Sequence, residues 1–239
     1  MYRSCNAYSD QSACVADLAN ACLSLKNQLG YSKPDARSVA LDNVAWIAHS
    51  GQMTLNLLDS WVKGDELIRR IIPQLIGLQT LTPEAIKDAG DGLGKSAKLA
   101  LAVLAQFQIE NCFRNIYREL GLPHSGTGFY RCARDVLNAL ALPVVLLETL
   151  NATARIRNSL HANGIHHKQH PNENAVIVLK GVKYEFLDGQ KVSCASWEHI
   201  AHALECSVEV LEQVFRQPQV SSIADPMMDM YAWEEATKP

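Results

Sequence analysis

From Lys95 to Leu120 apolar residues return at helical spacing: Leu99, Leu101, Val103, Leu104, Phe107, Ile109, Phe113, Ile116, Tyr117 and Leu120. Gly121 and Pro123 end the run. A pattern this long and regular commits the chain to a helix. Its apolar residues spread over a broad surface, which must be covered from several sides. The rest of the chain therefore has to supply partners, and most of it reads as further helices.

A first helix is predicted over 9–29, with Val15, Leu18, Ala19, Cys22, Leu25 and Leu29 in register and Gly30 as its stop. Pro34 and Asp35 open a second helix that carries Val39, Leu41, Val44 and Ile47 through to Trp61, with the break at Gly64. Residues 65–79 read as a short helix interrupted by Pro73, and Thr82-Pro83-Glu84 is a helix start. Gly90, Gly92 and Gly94 then read as a flexible connector. Gly94-Lys95-Ser96 imitates the end of a phosphate loop, but the required earlier glycine is Ala89. Helices follow over 128–140 and from Pro143 to about residue 163.

After Gly164 the period changes. Ala175 to Leu179 is β-branched and apolar, Val182 to Phe186 alternates, and Asp188-Gly189 is a turn dipeptide. Ser196 caps a last helix through Phe215. The expected fold is mainly α: a helical bundle with a small appended β-hairpin at about 174–193. We divide the chain into an N-terminal helical region over 1–92, a helical domain over 93–217 and a C-terminal tail over 218–239. Met227, Met228, Met230, Tyr231 and Trp233 equip that tail to dock on the body or on a partner.

Formal net charge is −3, so wholesale coating of nucleic acid is excluded and any such contact must be local. Seven cysteines without a CxxC pair read as reduced, mostly buried thiols of a cytoplasmic protein. No secretory signal pattern and no membrane-length apolar run is present.

The chemistry concentrates at one helix end. Ala154-Arg155-Ile156-Arg157-Asn158-Ser159-Leu160-His161 holds two arginines, an amide and an imidazole, and Asn163-Gly164 closes it. On a helical wheel Val145, Leu146, Thr149, Thr153, Ile156 and Leu160 form a core stripe. Leu147, Leu150, Ala154, Arg157, Asn158 and His161 form a second face that starts apolar and ends polar, which suits a helix–helix contact across a two-fold axis. Arg157 and His161 stand four residues apart and approach one another, whereas Arg155 lies further round. Arginine grips a phosphate in a fork and histidine titrates near neutrality. RNA brings its own 2′-hydroxyl nucleophile, so a base and a cation suffice to cleave it. The ordinary alternative is arginines that complement the helix dipole.

The same stretch resembles the HEPN superfamily of helical ribonuclease and toxin domains. Their hallmark is an Arg and a His separated by four to six residues near a helix end; five separate Arg155 from His161. Phe107 to Arg114 resembles the earlier long helix of such domains, and the Tyr184-Glu185-Phe186 hairpin with the Trp197 helix resembles their trailing elements. The resemblance covers about residues 95–215. It implies a homodimeric, metal-independent and cofactor-free endoribonuclease in a toxin or phage-defence setting, with RNA as substrate and an antitoxin or other protein as a further partner. It makes His161 the acid–base group and Arg155 the catalytic arginine by spacing. Helical geometry and the Arg-Asn pair favour Arg157, with Asn158 orienting it. The runner-up is a non-catalytic HEPN-like binding or scaffold domain.

His166, His167 and Lys168 add positive potential beside these arginines and are expected to face RNA. His166 or His167 with His170 lacks an acidic or thiolate ligand in register, so no metal is expected there. Ser125 lacks the frame of a nucleophile elbow. His199 and His202 read as partly exposed polar residues of the last helix.

Overall fold

The computed structural model describes residues 7–66, 70, 71, 74, 77, 82–123, 128–167 and 175–229. Helix α1 spans Tyr8–Leu29 and stops at Gly30, whose φ of +68° makes the left-handed turn that carries its N–H back to Lys26 O. Helix α2 spans Ala36–Lys63. The Asp35 carboxylate caps it by accepting from the Arg37 N–H at 2.9 Å, and Gly64 ends it at φ +89°. Both helices end at the glycines expected to stop them, and α2 begins at its expected cap, whereas α1 starts after Ala7 without a side-chain cap.

Helix α3, Pro83–Glu119, corrects the sequence reading. Thr82 does cap it, accepting from Ala85 N–H at 3.2 Å. The glycines that follow do not form a connector; 37 residues run as one helix through all three of them. The cause is packing against α2. A Cβ at Gly90 or Gly94 would meet the Leu58 methyl groups at 3.7 and 3.3 Å, so two glycines one turn apart let Leu58 seat closely. The boundary placed at residue 92 therefore falls inside a continuous helix. Moreover Val15, Leu41 and Leu55 belong to the same buried cluster as Phe113, Ile156 and Trp197. Gly92 points into open space. Replacing it with alanine is expected to stabilise the chain by about 1 kcal/mol, the difference in helix propensity. A urea-unfolding midpoint that falls instead would restore the connector.

Helices α4, Phe129–Ala139, and α5, Val145–His161, follow as expected. Strands β1, Ala175–Leu179, and β2, Val182–Phe186, pair antiparallel in the register Ala175↔Phe186 to Leu179↔Val182. Lys180 and Gly181 turn the hairpin with φ of +49° and +84°. Ile177, Leu179, Tyr184 and Phe186 face the core, and Val176 and Val178 face out. Helix α6, Trp197–Phe215, starts at Ser196, whose hydroxyl accepts from His199 N–H. A four-residue helix α7, Pro218–Ser221, comes last. The expected mainly α bundle with its hairpin is thus the fold.

The C-terminal segment is locked to the body rather than peripheral as far as Asp229. Asp35 and Arg37 form an ion pair at 2.6 Å with both side chains fully buried. Arg37 donates to Val220 O at 2.8 Å, and Asp35 accepts from Met227 N–H at 2.7 Å. Asp229 then accepts from Asn111 and Asn115 on α3 at 3.0 and 3.4 Å. Met227 docks as expected and is 1% exposed. Met230, Tyr231 and Trp233 lie outside the described residues.

Candidate active site

Helix α5 ends as its sequence dictates. Asn163 and Gly164 take left-handed φ of +55° and +81°, and the Gly164 N–H reaches back to Ser159 O at 2.8 Å. Ile165 bridges to Lys191, and Val192 N–H donates to Gly164 O at 2.9 Å. These bonds fix the helix end against the segment that follows the hairpin.

The two arginines part company. Arg157 faces α3: its guanidinium donates to Glu110 at 3.3 Å and to Asn158 Oδ1 at 3.2 Å, and stands 5.8 Å from the Phe107 ring centre. Arg155 faces the hairpin, 5.8 Å from the Phe186 ring centre. Asn158 and His161 are exposed on the side that Arg157 borders. Asn158 and His161 thus stand beside Arg157, while Arg155 sits in a separate environment against Phe186, nearly half a turn from Arg157 around the helix.

The second face of α5 divides in the same way. Leu147 and Leu150 are 3% and 0% exposed, covered by their own chain. Ala154 and Arg157 are half-buried, and Asn158 and His161 at the polar end are exposed. The apolar half offered for a second subunit is already spent within the chain.

His166 is also a correction. It is 5% exposed, its ring 5.6 Å from that of Phe186, because the Ile165–Lys191 bridge and the bonds of its own backbone to Gln190 and Gly189 draw it inward. It cannot face RNA as expected. His167 is exposed; Lys168 and His170, like the Ser125 loop, lie outside the described residues. Among the described residues no group of three or more His, Cys, Asp or Glu could hold a metal ion.

Sequence spacing missed two partners of this helix end, Glu110 and Phe107. Glu110 holds Arg157 and also pairs with Arg114 at 2.7 Å. Phe107 is 49% exposed beside Arg157. Lys98 is half-buried, and burial lowers its ammonium pKa; Glu198 opposes that shift, while Lys95 and Lys191 add to it. Glu110 and Arg114 are four residues apart, but the contacts of Arg157 with Glu110 and Phe107 span 47 residues or more.

His199 and His202 are half-buried, in line with the expected partial exposure. The Tyr184 hydroxyl donates to His199 O at 3.0 Å and lies 2.7 Å from His202 Nδ1, while Ser196 Oγ lies 2.8 Å from His199 Nδ1. Burial lowers both imidazole pKa values. Glu198 opposes the shift at His199, and Lys180 and His199 reinforce it at His202. A base whose pKa is lower folded than unfolded binds protons more readily when unfolded, so stability must fall with pH. The loss starts near the ordinary histidine value of about 6.5 and ends below the lowered values. Urea unfolding at pH 7.5 and 5.0 is expected to show it, and the double substitution His199→Gln, His202→Gln to reduce it. Cys22, Cys132 and Cys206 stay inert: burial pushes Cys132 and Cys206 up to about 11 and Cys22 up to about 12.

No protein-family model, curated protein or solved structure matches the chain. Among the described residues, no helix is long and apolar enough to cross a membrane.

Proposed function

We propose that the chain is a HEPN-like, metal-independent endoribonuclease whose site is the polar end of α5. The observation that carries this reading is the exposed His161 one turn beyond Arg157, whose guanidinium is held by Asn158 and Glu110. His161 takes the proton of the 2′-hydroxyl as the oxygen attacks phosphorus, or gives one to the departing 5′-oxygen. The products are a 2′,3′-cyclic phosphate and a 5′-hydroxyl. Arg157 holds the non-bridging phosphate oxygens, with Asn158 setting its planar fork and Glu110 its reach. Geometry favours Arg157 over Arg155 for this role, against the family spacing. The reading carries with it a cytoplasmic toxin or phage-defence setting, a homodimer with two such helix ends, and a restraining partner protein.

One observation favours the alternative of a non-catalytic binding domain. Arg157 is 18% exposed and already paired with Glu110, as a purely structural arginine would be. Cleavage of single-stranded RNA by the purified chain in EDTA, beside its His161→Ala variant, separates the two. Equal cleavage by both, or none by either, leaves only the binding domain.

A further inference from the structure

Helices α2 and α3 run antiparallel, as the Asn43–Gln108 bond at one end and the Leu58 contacts with Gly90 and Gly94 at the other require. Trp46 lies one turn beyond Asn43, and Leu104 one turn before Gln108, on the same side of that bond. Both are turned outward, at 69% and 46% exposure. Phe107 follows on α3, also exposed, and its ring stands beside the Arg157 guanidinium of α5. His161 is one turn further along α5. The row Trp46, Leu104, Phe107, Arg157 crosses three helices and so extends over roughly 20 Å, two interhelical spacings.

We infer that this row is a stacking platform for single-stranded RNA, an inference that rests on the endoribonuclease reading. Flat aromatic faces receive unpaired bases whatever their identity, and a cation at the end of the row receives the backbone phosphate. Trp46 and Phe107 offer the faces. Asn43 and Gln108 lie between them as amides able to bond base edges. Arg157, whose guanidinium stands 5.8 Å from the Phe107 ring centre, supplies the charge complement. Glu110, the carboxylate at the row, is engaged by Arg114 and Arg157. A protein partner would find the same row interrupted by an amide pair and a cation at its centre and end. Bases in a duplex are stacked already and cannot use the aromatic faces, so the platform selects single strands.

The test titrates full-length His161→Ala protein with a fluorescein-labelled 12-nucleotide oligouridylate and with an RNA duplex of equal length, reading anisotropy. Tighter binding of the single strand is expected. Trp46→Ala and Phe107→Ala are each expected to weaken it about tenfold or more, and Trp46→Phe and Phe107→Tyr to restore most of it. Equal or tighter duplex binding overturns the inference, as do unchanged affinities in both alanine variants. Dimers that dissociate on Trp46→Ala in sedimentation velocity would assign the row to a second copy and overturn it too. RNA cleavage that needs His161 but keeps its KM in Phe107→Ala would leave the endoribonuclease reading standing without the platform. Absence of both cleavage and binding overturns the two together.

Discussion

Replacing His161 with alanine is expected to lower RNA cleavage by a factor of about 10²–10⁴, the usual worth of one general acid or base. The side chain is exposed, so its removal opens no cavity and the fold should be untouched. Thermal unfolding of the variant should superimpose on that of the wild type. The two arginines separate by the same assay. Arg157→Ala removes the phosphate grip and is expected to lower kcat by about 10²–10³, as loss of one charge-stabilising donor does. Arg157→Lys should recover little, because a point charge does not reproduce the fork. Arg155→Ala removes packing over Phe186 and should reduce stability while cleavage remains. Cleavage that depends on Arg155 instead would return the catalytic role to the arginine chosen by family spacing.

The largest effect on stability is expected at Asp35. Its carboxylate caps α2, pairs with Arg37 and accepts from Met227 N–H, all without exposure to water. Asp35→Ala leaves a buried guanidinium without its counter-charge, which costs about 3–5 kcal/mol, and removes a cap worth about 1 kcal/mol. For a chain of this size that is a fall in Tm of very roughly 10–20 °C. The segment through Val220 and Met227 should become open to proteolysis. Adding Arg37→Met should recover part of the loss, since the stranded charge is then gone. A fall below about 1 kcal/mol would mean that the pair does not hold this segment.

Some of this was legible in the sequence because it depends on neighbours in the chain. Asp35, Thr82 and Ser196 announce helix starts, Gly30 and Gly64 announce stops, and each does what its local chemistry requires. The hairpin follows from alternation. The glycines at 90, 92 and 94 misled because a glycine cluster reads locally as a break. What keeps them helical is a side chain some thirty residues earlier, Leu58. The lock of the C-terminal segment was illegible for a related reason. An Asp and an Arg two residues apart say nothing of Val220 and Met227. At the candidate site, wheel geometry placed Arg157, Asn158 and His161 together from the sequence alone. It could not show that Glu110 reaches Arg157, that the hairpin takes Arg155 and His166, or that Leu147 and Leu150 are buried within their own chain rather than left for a second subunit.

The central claim is that the polar end of α5 cleaves RNA through the 2′-hydroxyl. It is tested most directly by end-group analysis of a single-stranded RNA incubated with the purified chain in EDTA. The expected products carry 2′,3′-cyclic phosphate and 5′-hydroxyl ends and vanish with His161→Ala. Products with 5′-phosphate ends, a requirement for added divalent metal, or the same products from His161→Ala would contradict it.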